Sequence, residues 1–157
     1  MKTISFLTLL FCGVIFIMNS CSKKSSSTGQ TKIQLLTASA WKYDTAGLDA
    51  NGDGTIDDAL PNGVIPACVT DNTLVFNSDS TGTENEGAIN CDTTGVQSAS
   101  FTWSFNTAQT VINFPDSVFG PFGGTVNITS LTTTQLHLEK AITESGLTFN
   151  VAVYLKH

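Results

Sequence analysis

After residue 40 the apolar positions of this chain fall two apart. Trp41 and Tyr43 alternate with Lys42 and Asp44, and Leu74 and Phe76 flank Val75. Phe101, Trp103 and Phe105 alternate with Thr102 and Ser104. Val126 and Ile128 alternate with Asn127 and Thr129, and Leu136 and Leu138 flank His137. Leu147, Phe149, Val151, Val153 and Leu155 share one face, opposite Thr148, Asn150, Tyr154 and Lys156. Thr81 to Glu86 reads as a polar strand after the turn-forming Asn77–Gly82, and Gln109 to Phe114 as a further short one. A period of two with turn residues between the runs predicts strands, each with one apolar face. Such strands form an antiparallel sheet wrapped round a core. The pattern predicts eight of them, enough to close an up-and-down barrel without exposed edges. A β-sandwich is the alternative. Ahead of the strands, Thr31 to Ser39 (TKIQLLTAS) places Ile33, Leu35 and Leu36 at the spacing of one short helix.

The first residues follow another pattern. Lys2 gives a positive start, and Ile4 to Ile17 is apolar apart from Ser5, Thr8 and Gly13. That run has the length of a signal-peptide core and is short for a membrane span, which needs about 20 apolar residues. It stops at Met18-Asn19-Ser20-Cys21, which resembles a lipobox, where bacterial lipoproteins are lipidated on Cys and cleaved just before it. Ser20 suits the small position; Met18 and Asn19 depart from the usual Leu and small residue. Ser22 to Gln30 is Ser/Lys-rich and has the composition of a flexible tether. The organisation read from this is a signal peptide at 1–20, a tether at 21–30 after a lipidated Cys21, and one domain at 31–157. Acyl chains on Cys21 would hold the protein on a membrane. As the resemblance implies, Ser22 after the Cys points to the outer membrane, and a tether without acidic residues points to its periplasmic face.

Composition narrows the partners. The chain has 7 basic and 13 acidic residues and no Arg, and losing Lys2 with the leader makes the net charge one unit more negative than −6. Nucleic acid asks for a basic footprint, which is missing. Besides Cys21, the domain has Cys68 and Cys91. In an oxidising compartment such a pair bonds, closing a loop worth about 3 kcal/mol on the chain-entropy model. A catalytic thiol would need a nearby base, and the only His residues are His137 and the terminal His157.

The chain resembles the lipocalin-like domain of bacterial lipoproteins. The resemblance rests on Cys21, Leu35-Leu36-Thr37 before Trp41-Lys42, Cys68 with Asp71-Asn72 and Phe76, Cys91, Trp103-Ser104, and Ile128-Thr129-Ser130-Leu131-Thr132 with Leu136. It implies a small eight-stranded barrel closed at one end by the N-terminal helix, and binding of a small apolar ligand or lipid. Ordinary lipocalins carry Gly-x-Trp where this chain has Ser39-Ala40-Trp41. Trp41, Phe76, Phe101, Trp103, Phe105 and Phe149 are read as core, a subset of them lining any cavity. The competing reading is a solid structural or interaction module of the cell envelope.

One stretch has metal-ligand spacing. In DANGDGTIDD, residues 49–58, Asp49, Asn51, Asp53, the Thr55 carbonyl and Asp57 take alternate positions of a calcium loop, with Gly54 at the sharp turn. Leu60 stands where the bidentate Glu belongs, and Asp58 is the substitute ligand. Two readings stand: a loop ordered by Ca2+, or Asp, Asn and Gly acting as turn formers. His137, between Leu136 and Leu138, is expected on the outer surface. Asp57 and Asp58 are adjacent and point apart, so they make no acid/base pair. No Ser/His/Asp arrangement, phosphate loop or zinc spacing is present, and no enzyme is expected. Asn127-Ile128-Thr129 fits an N-glycosylation pattern, and Asp44-Thr45-Ala46, Asp92-Thr93-Thr94 and Asp116-Ser117-Val118 fit a short O-glycosylation pattern.

Overall fold

The computed structural model describes residues 29–115, 118 and 122–157. The leader, Cys21 with most of the tether, and Asp116-Ser117 lie outside the described residues. The helix α1 spans Lys32–Leu36 and is held by a reciprocal cap: the Thr31 hydroxyl accepts from the Gln34 N–H, and the Gln34 side chain accepts from the Thr31 N–H. It ends earlier than the pattern predicts, because the Thr37 N–H and hydroxyl both turn back to the Ile33 carbonyl. Of its apolar residues only Leu36 is buried.

Ten strands follow: β1 (Trp41–Asp49), β2 (Asp58–Ala59), β3 (Thr73–Phe76), β4 (Thr81–Asn85), β5 (Ser98–Thr102), β6 (Ser104–Phe105), β7 (Val111–Phe114), β8 (Gly124–Leu131), β9 (Gln135–Glu144) and β10 (Leu147–Lys156). A short helix α2, Ala67–Thr70, precedes β3. Strands stand at all eight predicted places, the one through Phe101, Trp103 and Phe105 divided into β5 and β6, and β2 and α2 are additions. The sheet is antiparallel in the order β5-β4-β3-β1-β10-β9-β8-β7-β6, with β2 on β1. Its two end strands, β5 and β6, are parts of one extended segment separated only by Trp103. The sheet is therefore rolled until its ends meet in the chain. The ladder itself does not close, since no pairing joins β5 to β6. Trp103 marks the break: its N–H goes to the Ser80 carbonyl and its indole N–H to the Thr81 carbonyl, both 2.9 Å.

Inside the roll, alternate residues of every long strand form one core. Trp41, Leu74, Phe76, Ile112, Val126, Leu136, Leu138, Val153 and Leu155 are all almost wholly buried. Phe76 meets the rings of Phe101, Trp103 and Phe114 edge-on at 5.6, 5.7 and 6.4 Å. The α1 end is stoppered by Trp41, whose indole N–H donates to the Leu36 carbonyl at 2.8 Å and whose ring stacks on His157 at 3.7 Å. Phe149 departs from the expectation. It shares the inward face of β10 but is 39% exposed, because the β9–β10 hairpin runs on past the barrel mouth. Phe105 is half-buried at the edge of the core.

Trp41 fills the floor and bonds the helix, so the two contributions separate by substitution. In urea denaturation Trp41→Ala is expected to cost about 3–5 kcal/mol. Trp41→Phe keeps most of the ring but strands the Leu36 carbonyl, and is expected to cost about 1–3 kcal/mol.

Candidate functional site

β1 pairs with β3 only at Trp41–Leu74 and Lys42–Thr73. Above that the strands part, and the free edge of β1 is taken by the two residues of β2. The gap is covered by the segment 60–66 and α2, with the Leu60 N–H donating to the Ala46 carbonyl at 2.9 Å. Beneath this cover lies a cleft of about 310 Å3 whose lining mixes Leu60, Pro61, Ile65 and Ala67 with Tyr43, Asn62, Gly63 and Thr70. Leu60 and Ile65 also pack on the core. Burial raises the Tyr43 phenol above its ordinary pKa; a bond to the Ala46 backbone opposes this and the Asp44 charge adds to it. Two larger hollows, of about 400 Å3 beside Trp103 and Phe114 and about 660 Å3 beside Gly82 and Phe101, are broad and rimmed by Thr, Ser and Asn.

The cover of this cleft is pinned from above. Cys68 in α2 is bonded to Cys91, as expected from the sequence, with Cα atoms 5.0 Å apart. Around the bond, the Asp71 carboxylate accepts from the Ile89 N–H, the Asn72 side-chain carbonyl from the Gly87 N–H, and the Glu86 carboxylate from the Cys91 N–H. These bonds tie α2 to the segment 86–97.

The stretch Asp49–Asp58 does not stand over the mouth. It folds back across the outer face of β10, β9 and β8. The Tyr154 hydroxyl on β10 donates to the Gly54 carbonyl and accepts from the Ile56 N–H, each at 3.1 Å. Gly54 (φ +82°) lies so close to β8 that a Cβ would stand 2.6 Å from the Thr129 Cβ. A Cβ at Gly47 would likewise collide with Ile56 and the Asp58 carbonyl, so only Gly lets this segment settle on the sheet.

Its side-chain oxygens face its own backbone. One Asp49 oxygen accepts from the Gly52 and Asp53 N–H groups and the other from Gly54. Asn51 accepts from Asp53, Asp53 from Thr55, and Asp57 from Ala50. Thr55 and Asp58 are exposed. Asp49 is 2% exposed, under a cover that is only this loop. Burial raises its carboxyl, and the N–H groups of Gly54, Gly52 and Asp53 outweigh that, so its pKa is lowered. Glu139 on β9 shares a hydrogen bond with Asp49; burial first, then the Asp49 charge and that bond, hold its pKa up. Among the described residues no group of three or more His, Cys, Asp or Glu side chains is gathered to hold a metal ion. The turn-forming chemistry of this stretch is fully used.

His137 faces outward as expected, yet it is not bare. It stacks on Tyr154 at 3.6 Å and 9°, and its Nε2 is buried without a partner. Sequence pattern places it on the outer face but carries no signal that a distant loop covers that face.

Residues 37–138 match the family described as the lipocalin-like domain. The chain belongs to that family. The match runs from the end of α1 into β9, so β10 completes the sheet beyond it. No curated protein matches the chain.

Two outcomes follow from the clamp on the outer face. Tyr154→Phe removes the hydroxyl that serves both Gly54 and Ile56, and is expected to cost about 1–3 kcal/mol. Hydrogen exchange should show amides of residues 50–57 losing protection before those of β1. His137 supplies a pH dependence. Burial lowers its pKa below the ordinary 6.5, against a smaller opposite effect of Asp44. The unfolded chain therefore takes up a proton near 6.5 that the fold resists, and stability falls as pH drops below that value. Thermal melts from neutral to acidic pH should show a fall that is shallower in His137→Phe, which keeps the stack. An unchanged slope would remove His137 from the account.

Proposed function

We propose that this protein is a non-enzymatic, membrane-anchored lipoprotein of the cell envelope, held on the periplasmic face of the outer membrane through Cys21. In this reading its lipocalin-like domain binds a small apolar ligand or lipid in the side cleft at Tyr43. The observation that carries it is the parting of β1 from β3, which leaves a cleft of about 310 Å3, with Leu60, Pro61 and Ile65 beside Tyr43, Asn62 and Thr70, under a separate cover. That volume lies at the small end of ligand pockets. The floor of the barrel is unsuited to the task, since Trp41, Phe76, Phe101 and Phe114 occupy it. The cover is tied by one disulfide and a few loop hydrogen bonds, so it can move without disturbing the ladder.

The filled floor favours a second reading, in which the domain is a rigid interaction module and carries no ligand. Native mass spectrometry of the full chain expressed in a bacterial host separates the two. The expected spectrum shows acyl mass, lost in Cys21→Ser, and a further apolar ligand, lost in Tyr43→Ala and in Ile65→Glu. Acylated protein without any additional mass after exposure to lipid extract would leave the interaction module standing.

A further inference from the structure

The apolar face of the β9–β10 hairpin continues beyond the core. Ile142 is paired with Phe149 and Glu144 with Leu147, so these four share one face. By alternation it is the face that buries Val151, Val153 and Leu155 lower on β10. Above Val151 the cover runs out: Phe149 is 39% and Leu147 72% exposed. A hollow of about 270 Å3 opens between Leu48, Ala50 and Phe149. The loops at this same end also expose Val64, Ile89 and Val96. Ile33, in α1 at the other end, is the remaining exposed large hydrophobic among the described residues.

Carboxylates outnumber cations at this end. Glu144 stands on the unpartnered face beside Leu147. The Asp57 carboxylate, bonded to the Ala50 N–H, edges the hollow, and exposed Asp58 follows it. Of the four described lysines, Lys32, Lys42 and Lys156 lie at the α1 end; Lys140, paired with Val151, stands on this same face two residues before Ile142, with its ammonium donating to the Gly123 carbonyl.

We propose that this face docks a basic amphipathic segment of another protein, its apolar side chains against Phe149 and Leu147 and its cations against Glu144 and Asp57. Charge complementarity selects this occupant. A second copy brings the same carboxylates to the contact, and an anionic lipid surface meets like charge. Under the anchored reading the chain enters at α1, the end of the sheet opposite this face; the docking itself does not rest on the side cleft.

The test uses labelled synthetic helical peptides and fluorescence anisotropy on the full chain. A Lys/Leu peptide is expected to bind, with Glu/Leu and Lys/Ser peptides at least about tenfold weaker. Raising salt from about 50 to about 500 mM should weaken the Lys/Leu complex at least about fivefold. Leu147→Ser with Phe149→Ser, and separately Glu144→Gln with Asp57→Asn, should each weaken it at least about fivefold. Asp79→Asn removes the same unit of charge in the β3–β4 turn, at the α1 end, and should leave binding unchanged. Melting temperatures near the parent's show that the hairpin variants still fold. Equal binding of the Glu/Leu peptide, or equal weakening by Asp79→Asn, overturns the proposal. So does preferential capture of anionic vesicles, or self-association that the Leu147/Phe149 variant abolishes.

Discussion

Residues 98–105 serve both ends of one sheet. β5 pairs with β4 and β6 pairs with β7, and a single residue, Trp103, lies between them. A sheet whose end strands are one residue apart cannot lie flat. It has to roll, and its inward side chains have to fill the space enclosed. The filling is aromatic at this seam, where Phe76, Phe101, Trp103 and Phe114 meet edge to face. Trp103 also satisfies the backbone where the ladder stops, by donating from both its nitrogens to the β3–β4 hairpin. The same residue thus packs the seam and supplies the hydrogen bonds that the missing pairing would have made.

Strand lengths then decide where the roll is incomplete. β1 has nine residues and β3 has four, so most of β1 has no partner on that side. β2, the segment 60–66 and α2 are what the chain places along that edge. None of them has strand or helix periodicity of useful length, and their position is secured by the Cys68–Cys91 bond and by Asp71, Asn72 and Glu86. The weakest part of the wall is therefore also the part with its own cleft. Structure that is held by few bonds and opens at low cost is where a binding function is easiest to accommodate.

The sequence shows the strands well and the interruptions poorly. Alternation runs unbroken through Phe101, Trp103 and Phe105, so nothing in it marks the change of partner at Trp103. Alternation also assigns Phe149 and Leu147 to the core-facing side correctly. Periodicity reports which way a side chain points and is silent on whether anything lies over it. His137 is the mirror case: its outward direction is legible, and its cover by the stacked ring of Tyr154, itself bonded to the distant loop, is not. In the stretch 49–58, Asp, Asn and Gly at alternate positions serve a cation loop and a run of Asx turns equally well, because both need oxygens aimed inward. In this structure those oxygens accept from backbone N–H groups of the same loop.

That loop also constrains how the cleft can open. Gly54 against Thr129, and Tyr154 bonded to both Gly54 and Ile56, fix residues 54–56 to the outside of β8 and β10. Ala152, on the outer face of β10, is fully buried in consequence. A segment fastened to the outer wall cannot swing over the mouth as a lid without exposing Ala152 and stranding the Asp49 carboxylate. Under the proposed reading, opening of the cleft falls to the segment beyond β2, residues 60–66. The outer loop fixes one end of that segment through the Asp58–Leu48 pairing, and the disulfide fixes the other. Displacing that segment to admit the proposed ligand would break no pairing of the main sheet path from β5 to β6, which is what a rolled sheet with a filled floor can tolerate.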